Sequence, residues 1–279
     1  MNVVCVGDCG VDHYLPSGER LPGGITANFA RHARREFDES DEVRIVSCVG
    51  NDDAASIVLS SLAETTIDCR VSVIPGRTPV QFIEIEADGE KHFVRYDEGV
   101  LREFTFDAGQ EAWIADADLV VAPVYLQIVG LFDTLMSIKT SARVAIDFAD
   151  FLEHPDFDLL DNHIDRIDIG FFGLRIADNA TIDAVSHRAR DHGKLFIVTL
   201  GPDGSVVFDG DRRYSCAAVP VGRVVDTTGA GDAFAAGFLS RWCHGAGIQE
   251  SMEHGAALAS EVIGRLGSQP EQSISGGAR

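Results

Sequence analysis

Apolar residues recur along this chain in two alternating rhythms. Short unbroken runs cover Asn2 to Gly7, Val43 to Val49, Leu119 to Pro123, Arg143 to Phe148, Ile167 to Gly173 and Lys194 to Leu200. Runs of that length, apolar on both faces, predict buried parallel strands. Between them apolar residues fall three and four apart. Phe29, Ala30, Ala33 and Phe37 predict one helix; Phe234, Phe238 and Trp242 predict another. Ala54 to Leu62, Val129 to Thr140, Ala180 to His192 and Gly255 to Leu266 read the same way. Strand and helix in alternation predict an α/β fold, a doubly wound and mainly parallel sheet with helices on both faces. Ligands of such a sheet lie at the carboxyl ends of its strands.

A different pattern interrupts this rhythm. Arg70 to Ile74, Pro79 to Ala87 and His92 to Tyr96 alternate apolar and polar residues, so one face of each strand is wet or separately covered. Asp88-Gly89 predicts a tight hairpin between the last two. Val206 to Asp209 and Arg213 to Cys216 predict a second hairpin, leading through Val224-Val225 to Asp226. Leu15 to Pro22 reads as an irregular exposed passage, Arg31, Arg34 and Arg35 as a solvated helix face, and the tail after Gly267 as frayed.

The 279 residues suit one large domain carrying an excursion. With 23 basic residues against 44 acidic, the net charge of −21 argues against nucleic acid and anionic membrane surfaces as partners. The six cysteines include no C-x-x-C pair, so reduced thiols are expected rather than disulfides or zinc. No apolar run is long enough to span a membrane, and no signal-peptide pattern opens the chain. A cytoplasmic location is expected.

The chemistry concentrates in Asp226-Thr227-Thr228-Gly229-Ala230-Gly231-Asp232-Ala233-Phe234. Small residues feeding a helix start let backbone amides converge where the helix carries partial positive charge. That arrangement suits a phosphoryl group. Asp232 would repel a resting phosphate, but its carboxylate makes sense as the base that takes a proton from an attacking hydroxyl. A simple capped helix would look similar. Earlier, Gly23-Gly24-Ile25-Thr26-Ala27-Asn28 opens another helix, with a glycine pair that lets a polyol approach and an amide matched to a hydroxyl. Asp12 could accept from sugar hydroxyls or be a turn acid, and Asp147 and Asp150 could contact substrate or be loop acids.

The later stretch resembles the C-terminal signature of the ribokinase-like (PfkB) sugar kinases, and the G-G-x-x-x-N stretch resembles their N-terminal signature, in the family's order. The resemblance implies an ATP-dependent carbohydrate kinase. Asp232 would be the catalytic base, Gly229, Ala230 and Gly231 the anion hole, and Asp12, Gly24 and Asn28 the sugar ligands. Residues 77–100, with part of 12–22, would form a β lid inserted in the domain spanning 1–279, and a homodimer could assemble through it. Thr199-Leu200-Gly201-Pro202-Asp203-Gly204 resembles the nucleotide loop, implicating Thr199, Gly201 and Gly204, with the helix from Gly255 packing beside the adenine. A monovalent cation such as K+ would sit near Asp226 and Thr228. The family's N-x-x-E motif, which organises Mg2+, is absent from Gly173 to Asn179, leaving Asp178 as the nearest carboxylate.

The whole chain, and Tyr96 to Val100 in particular, looks most like the fructoselysine 6-kinase branch. Its acceptor carries a cationic amine, which Glu98 or Asp97 could favour. An exposed acidic turn is the alternative. The expected reaction is transfer of the γ-phosphoryl group of ATP to a primary hydroxyl of a ketose or fructosamine. A kinase of another small sugar, sugar acid or nucleoside, and a non-catalytic sugar- or nucleotide-binding regulator, are the rival readings.

Overall fold

The computed structural model describes residues 1–15, 17–86, 89–149 and 151–270. In chain order its elements are β1 (Asn2–Val6), β2 (Gly10–Leu15), β3 (Arg20–Gly23), α1 (Ile25–Glu36), β4 (Glu42–Val49), α2 (Asp53–Ala63), β5 (Asp68–Val73), β6 (Val80–Ile85) and β7 (Lys91–Asp97). There follow α3 (Ala108–Ala115), β8 (Leu119–Val124), α4 (Val129–Ser137), β9 (Arg143–Phe148), α5 (Phe157–His163), β10 (Ile169–Gly173) and α6 (Asn179–His192). The chain ends with β11 (Leu195–Thr199), β12 (Ser205–Asp209), β13 (Arg212–Cys216), α7 (Ala230–Cys243) and α8 (Ile248–Val262).

Nine strands form the main sheet in the order β13-β12-β11-β10-β9-β8-β1-β4-β5. From β11 to β5 neighbouring strands run parallel, while β12 and β13 add an antiparallel hairpin at one edge. The unbroken apolar runs follow from burial on both faces. Val4, Val6, Val120, Ile146, Phe172 and Phe196 pack against Leu131 and Phe132 of α4 and Ile182 and Val185 of α6. Their sequence neighbours Val3, Cys5, Val121, Ala145, Phe171 and Ile197 face Phe29 of α1, Val58 of α2 and Phe234 and Phe238 of α7. Alternate residues of one strand therefore feed two separate helix layers.

A second sheet, ordered β3-β2-β6-β7, forms the lid. Here β2 pairs parallel with β6, and the outer pairs are antiparallel. One face of this sheet covers the carboxyl ends of the main sheet's strands and the other meets water. Phe93 and Val94 are exposed on β7.

Several expectations need correction. The passage 15–22 is not irregular throughout, because Arg20–Gly23 pairs with Gly10–His13 as β3. Asp12 lies inside β2, a strand of the second sheet, rather than in a turn. β5 belongs to the main sheet, paired parallel with β4. Its outer position at the sheet edge explains its half-polar pattern. Arg31 is buried, not solvated: its guanidinium donates to the carbonyl and hydroxyl of Ser61 in the last turn of α2. A helix C-terminus offers unpaired carbonyls and partial negative charge, so a cation is favourable there. Arg34 is half-buried and donates to the carbonyls of Phe37 and Asp38. α3 and α5 were not anticipated, and α8 begins at Ile248 rather than Gly255. Ala87 and Asp88 of the expected hairpin turn, and Asp150, lie outside the described residues. The six cysteines are free thiols. Among the described residues no helix is long and apolar enough to cross a membrane.

Candidate active site

A cavity of about 950 Å³ lies between the lid and the carboxyl ends of the parallel strands. At its floor α7 begins. Gly229 caps that helix with a left-handed backbone (φ 81°), and a Cβ there would meet the Ser268 Cα at 2.7 Å. Only glycine fits that combination of angle and contact. The amides of Gly229 and Gly231 have no acceptor among the described residues, and both residues line the cavity with Ala230. Space for a Cβ at Gly231 is open. The helix start thus leaves these donors free toward the cavity, an arrangement suited to an anion.

Asp232 sits in the first turn of α7, buried, with its carboxylate accepting from the Asn28 side-chain amide at 2.9 Å. Burial, followed by the charge of Asp147, pushes its pKa well above the ordinary carboxylate value. Asn28 does more than the sequence suggested. Its amide nitrogen holds Asp232, and its carbonyl oxygen accepts from Ser268 at 2.8 Å and from Gln269. The amide that looked free for a sugar therefore orients the candidate base. Ser268 is fixed in turn because its own carbonyl meets the buried His32 ring at 3.0 Å. Burial lowers the His32 pKa to about 4, so the imidazole is neutral and donates that hydrogen bond.

Asp12 reaches the cavity from β2, and its Oδ2 is buried without a hydrogen-bond partner among the described residues. Its pKa rises to about 7 through burial and then through the neighbouring charges of Asp8 and Asp226. The glycine pair also has a different use from the one expected. A Cβ on Gly23 would collide with the Asp12 carboxylate, and one on Gly24 would meet the Asp8 carbonyl at 2.8 Å. The close approach here is protein to protein; Gly24 itself still lines the cavity.

Two acids gain importance. Asp8 follows β1 and caps α1, accepting from the Ile25 and Thr26 amides at 3.1 and 3.2 Å. Nothing local in Gly7-Asp8 signals this, because its partners lie across the β2–β3 hairpin. Asp147 near the end of β9 lines the cavity, and no hydrogen-bond partner is found for it among the described residues. Withdrawal from bulk water and the Asp8 charge raise its pKa to about 7.

At the far end Thr199, Gly201 and Gly204 line the cavity beside the small residues Ala256, Ala259 and Ser260 of α8. The positive φ at Gly204 accommodates the backbone of Cys216 and Ala217. Asp226 is fully buried below the α7 loop. It accepts from Tyr14 Oη at 2.7 Å, the Thr228 amide at 2.8 Å and the Gly267 amide at 2.9 Å. Thr228 Oγ1 is buried and partnerless among the described residues.

Two candidates lie elsewhere. Glu98 is not part of the cavity lining; its carboxylate pairs with Arg102 at 3.2 Å. Asp97 pairs with Arg77 at 3.1 Å. Asp178 lies outside the cavity, clamped by the Arg175 amide and guanidinium at 3.0–3.2 Å. Arginines satisfy all three acids: Glu98 and Asp178 through partners four and three residues away, and Asp97 through one across the lid.

This site and fold are those of a phosphotransferase, and comparison with known proteins agrees. Residues 2–274 match the model of the pfkB family carbohydrate kinases. The fructoselysine 6-kinase of Shigella flexneri is 31% identical over 92% of this chain and 95% of its own length. The fructosamine kinase FrlD of Bacillus subtilis (strain 168) is 27% identical, covering 96% of this chain and 92% of its own. Among solved structures, a ribokinase from Thermotoga maritima superposes with a TM-score of 0.75 at 21% identity, covering 96% of this chain and 94% of its own. The chain belongs to the pfkB family of carbohydrate kinases. It is an ATP-dependent phosphotransferase, from a family whose kinases use ATP with Mg2+.

Proposed function

We propose that this kinase transfers the γ-phosphoryl group of ATP to a primary hydroxyl of a fructosamine of the fructoselysine type. The observation that carries the reaction is the juxtaposition of Asp232, held by Asn28, with the free amides of Gly229 and Gly231 in one cavity with Asp12. ATP lies with its adenine against Ala256 and Ala259 and its phosphates running past Thr199, Gly201 and Gly204 toward the α7 start. The sugar lies under the lid, with hydroxyls donating to Asp12. Asp232 takes the proton of the attacking hydroxyl as the new O–P bond forms. The bond from Pγ to the bridging oxygen breaks, and its electron pair leaves with ADP. Gly229, Ala230 and Gly231 face the charge that develops on the phosphoryl oxygens.

Mg2+ needs hard oxygen ligands, and the partnerless carboxylate of Asp147 fits that need while the clamped Asp178 does not. Asp147 would hold Mg2+ there, and the ion would supply charge neutralisation for the phosphates. The orphaned Thr228 Oγ1 beside Asp226 supports a monovalent cation below the anion hole. ATP as co-substrate and six free thiols fit the reducing cytoplasm.

The acceptor assignment rests on the similarity to fructoselysine and fructosamine kinases over most of the chain and on the acids around the sugar end. Glu90 and Glu153 line the cavity with Asp8, Asp12, Asp147 and Asp232, against the two cations Lys91 and Arg95. A cationic amine gains from such a lining, and a sugar acid does not. The test is kcat/KM for fructoselysine and for fructose at one salt concentration. A preference for fructoselysine of about 5- to 150-fold, the worth of one or two charge contacts, is expected. Equal values or a preference for fructose would remove the fructosamine assignment and leave the kinase.

A further inference from the structure

The lid does more than cover the cavity. Lys91 opens β7 and lines the cavity beside the loop that leads into α7. Its ammonium donates to the Thr227 carbonyl at 3.1 Å, and its backbone amide donates to Thr227 Oγ1 at 3.3 Å. Thr227 stands immediately before Thr228-Gly229, the loop that delivers the free amides. The lid thus places a positive charge on the rim of the anion site. Asp8, Asp12, Asp147 and Asp232 line the same cavity, and Arg95 of β7 is a second cation in its lining. Only one of the three ammonium hydrogens is engaged by Thr227, and a carbonyl is a neutral partner for a cation that strongly prefers an anion.

We propose that Lys91 is a catalytic residue, a lid-borne cation that contacts the transferring phosphoryl group and couples lid closure to the chemical step. In this role Lys91 is charged throughout. The hydroxyl proton goes to Asp232 and the electron pair of the breaking bond goes to ADP, so Lys91 neither gains nor loses a proton. It stabilises charge on the phosphoryl oxygens together with the Gly229 and Gly231 amides. Because the lid carries it, that charge is in place only when the sugar is covered, which limits wasteful transfer to water. The electrostatics agree. Lys91 pulls down the pKa values of Asp12, Asp147 and Asp232 against the dominant effect of burial. The charge of Lys91 lowers the pKa of Asp232 while those of Asp147 and Asp8 raise it and the Asn28 amide bonds to it, so removing Lys91 takes a cation away from the base. This proposal rests on the phosphotransferase activity and not on the fructosamine assignment.

The rival is a latch, in which Lys91 merely ties the lid to Thr227. Lys91→Met and Lys91→Arg, as full-length proteins with matched thermal melts, separate the two. Each is assayed with ATP and Mg2+ on fructoselysine and, in parallel, on fructose. Lys91→Met should lose about 10²–10³-fold in kcat on whichever acceptor turns over, with a smaller rise in KM. The acid limb of its kcat/KM profile should move to higher pH, since the base loses its cationic neighbour. Lys91→Arg should recover most of kcat, because charge rather than a particular shape is required. Three results would overturn the proposal: a Lys91→Met kcat within threefold of the parent, a loss confined to KM with the acid limb unmoved, or a Lys91→Arg variant as impaired as Lys91→Met.

Discussion

Replacing Asp147 by Asn should stabilise the ligand-free protein at high pH while crippling it as a kinase. Asp8, Asp12, Asp147 and Asp232 share one cavity; burial raises the pKa of each, and the charge of Asp8 adds to the rise at Asp12, Asp147 and Asp232. For Asp147 the folded value is about 7 against an ordinary 3.8. A raised folded pKa means the folded state holds the proton more tightly than the unfolded chain. The associated stability is therefore fully present below about pH 4 and is lost as pH rises through about 7. A displacement of that size corresponds to about 4 kcal/mol for one isolated group. Asp147 is coupled to the charges of Asp8 and Asp232, so the gain from removing its charge is set below that isolated figure, at about 2 kcal/mol. At about 2–4 °C per kcal/mol in a chain of this size, Asp147→Asn should raise Tm by roughly 4–8 °C at pH 8. At pH 4.5, where the parent carboxyl is already protonated, the two melts should nearly coincide. Thermal melts of parent and variant from pH 4.5 to 8.5, without nucleotide or metal, make the comparison. An equal Tm difference at both ends of the range, or a lower Tm for the variant at pH 8, would refute the reasoning. Turnover should move the other way. Loss of the carboxylate that fits Mg2+ should raise the Mg2+ concentration needed for half-maximal activity about 10-fold or more.

The remaining predictions follow from where side chains are held. Glu98→Gln should leave the ratio of kcat/KM values for fructoselysine and fructose within about twofold of the parent, because Glu98 pairs with Arg102 outside the cavity. A larger change in that ratio would return Glu98 to the site. Gly23→Ala should raise KM for the sugar about 10-fold or more, because the new methyl group displaces the Asp12 carboxylate. Steady-state titration of the acceptor at saturating ATP measures this; an unchanged KM would take Asp12 out of sugar binding.

The parts legible in sequence are those whose cause is local or periodic. The main sheet was legible because strands buried on both faces must be apolar at every position, as in Val3 to Val6. The α7 start was legible because a left-handed glycine and adjacent free amides need small residues in direct succession. What was hidden depends on partners far along the chain. Asn28 meets Asp232, Ser268 and Gln269 only in the folded molecule, so its amide looked free for sugar. Arg31 read as solvent-facing because Ser61, its acceptor, belongs to another helix. β3 is four residues long and only partly buried, too short for its alternation to register. Glu98 and Asp178 misled in the opposite sense: acids near a site in sequence were already paired with nearby arginines. Lys91 gave no signal at all, since its meaning comes from Thr227, well over a hundred residues further along the chain.

The central claim is that Asp232 is the base of a phosphoryl transfer, and Asp232→Asn tests it most directly. The substitution is nearly isosteric and removes a buried charge, and the amide can keep a hydrogen bond to Asn28. The variant should melt at or above the parent temperature at pH 8 and bind the sugar with an affinity close to the parent's. Its kcat in a coupled ADP-release assay should fall by about 10²–10⁴-fold. A well-folded variant that binds sugar and retains more than about a tenth of the parent kcat would contradict the account.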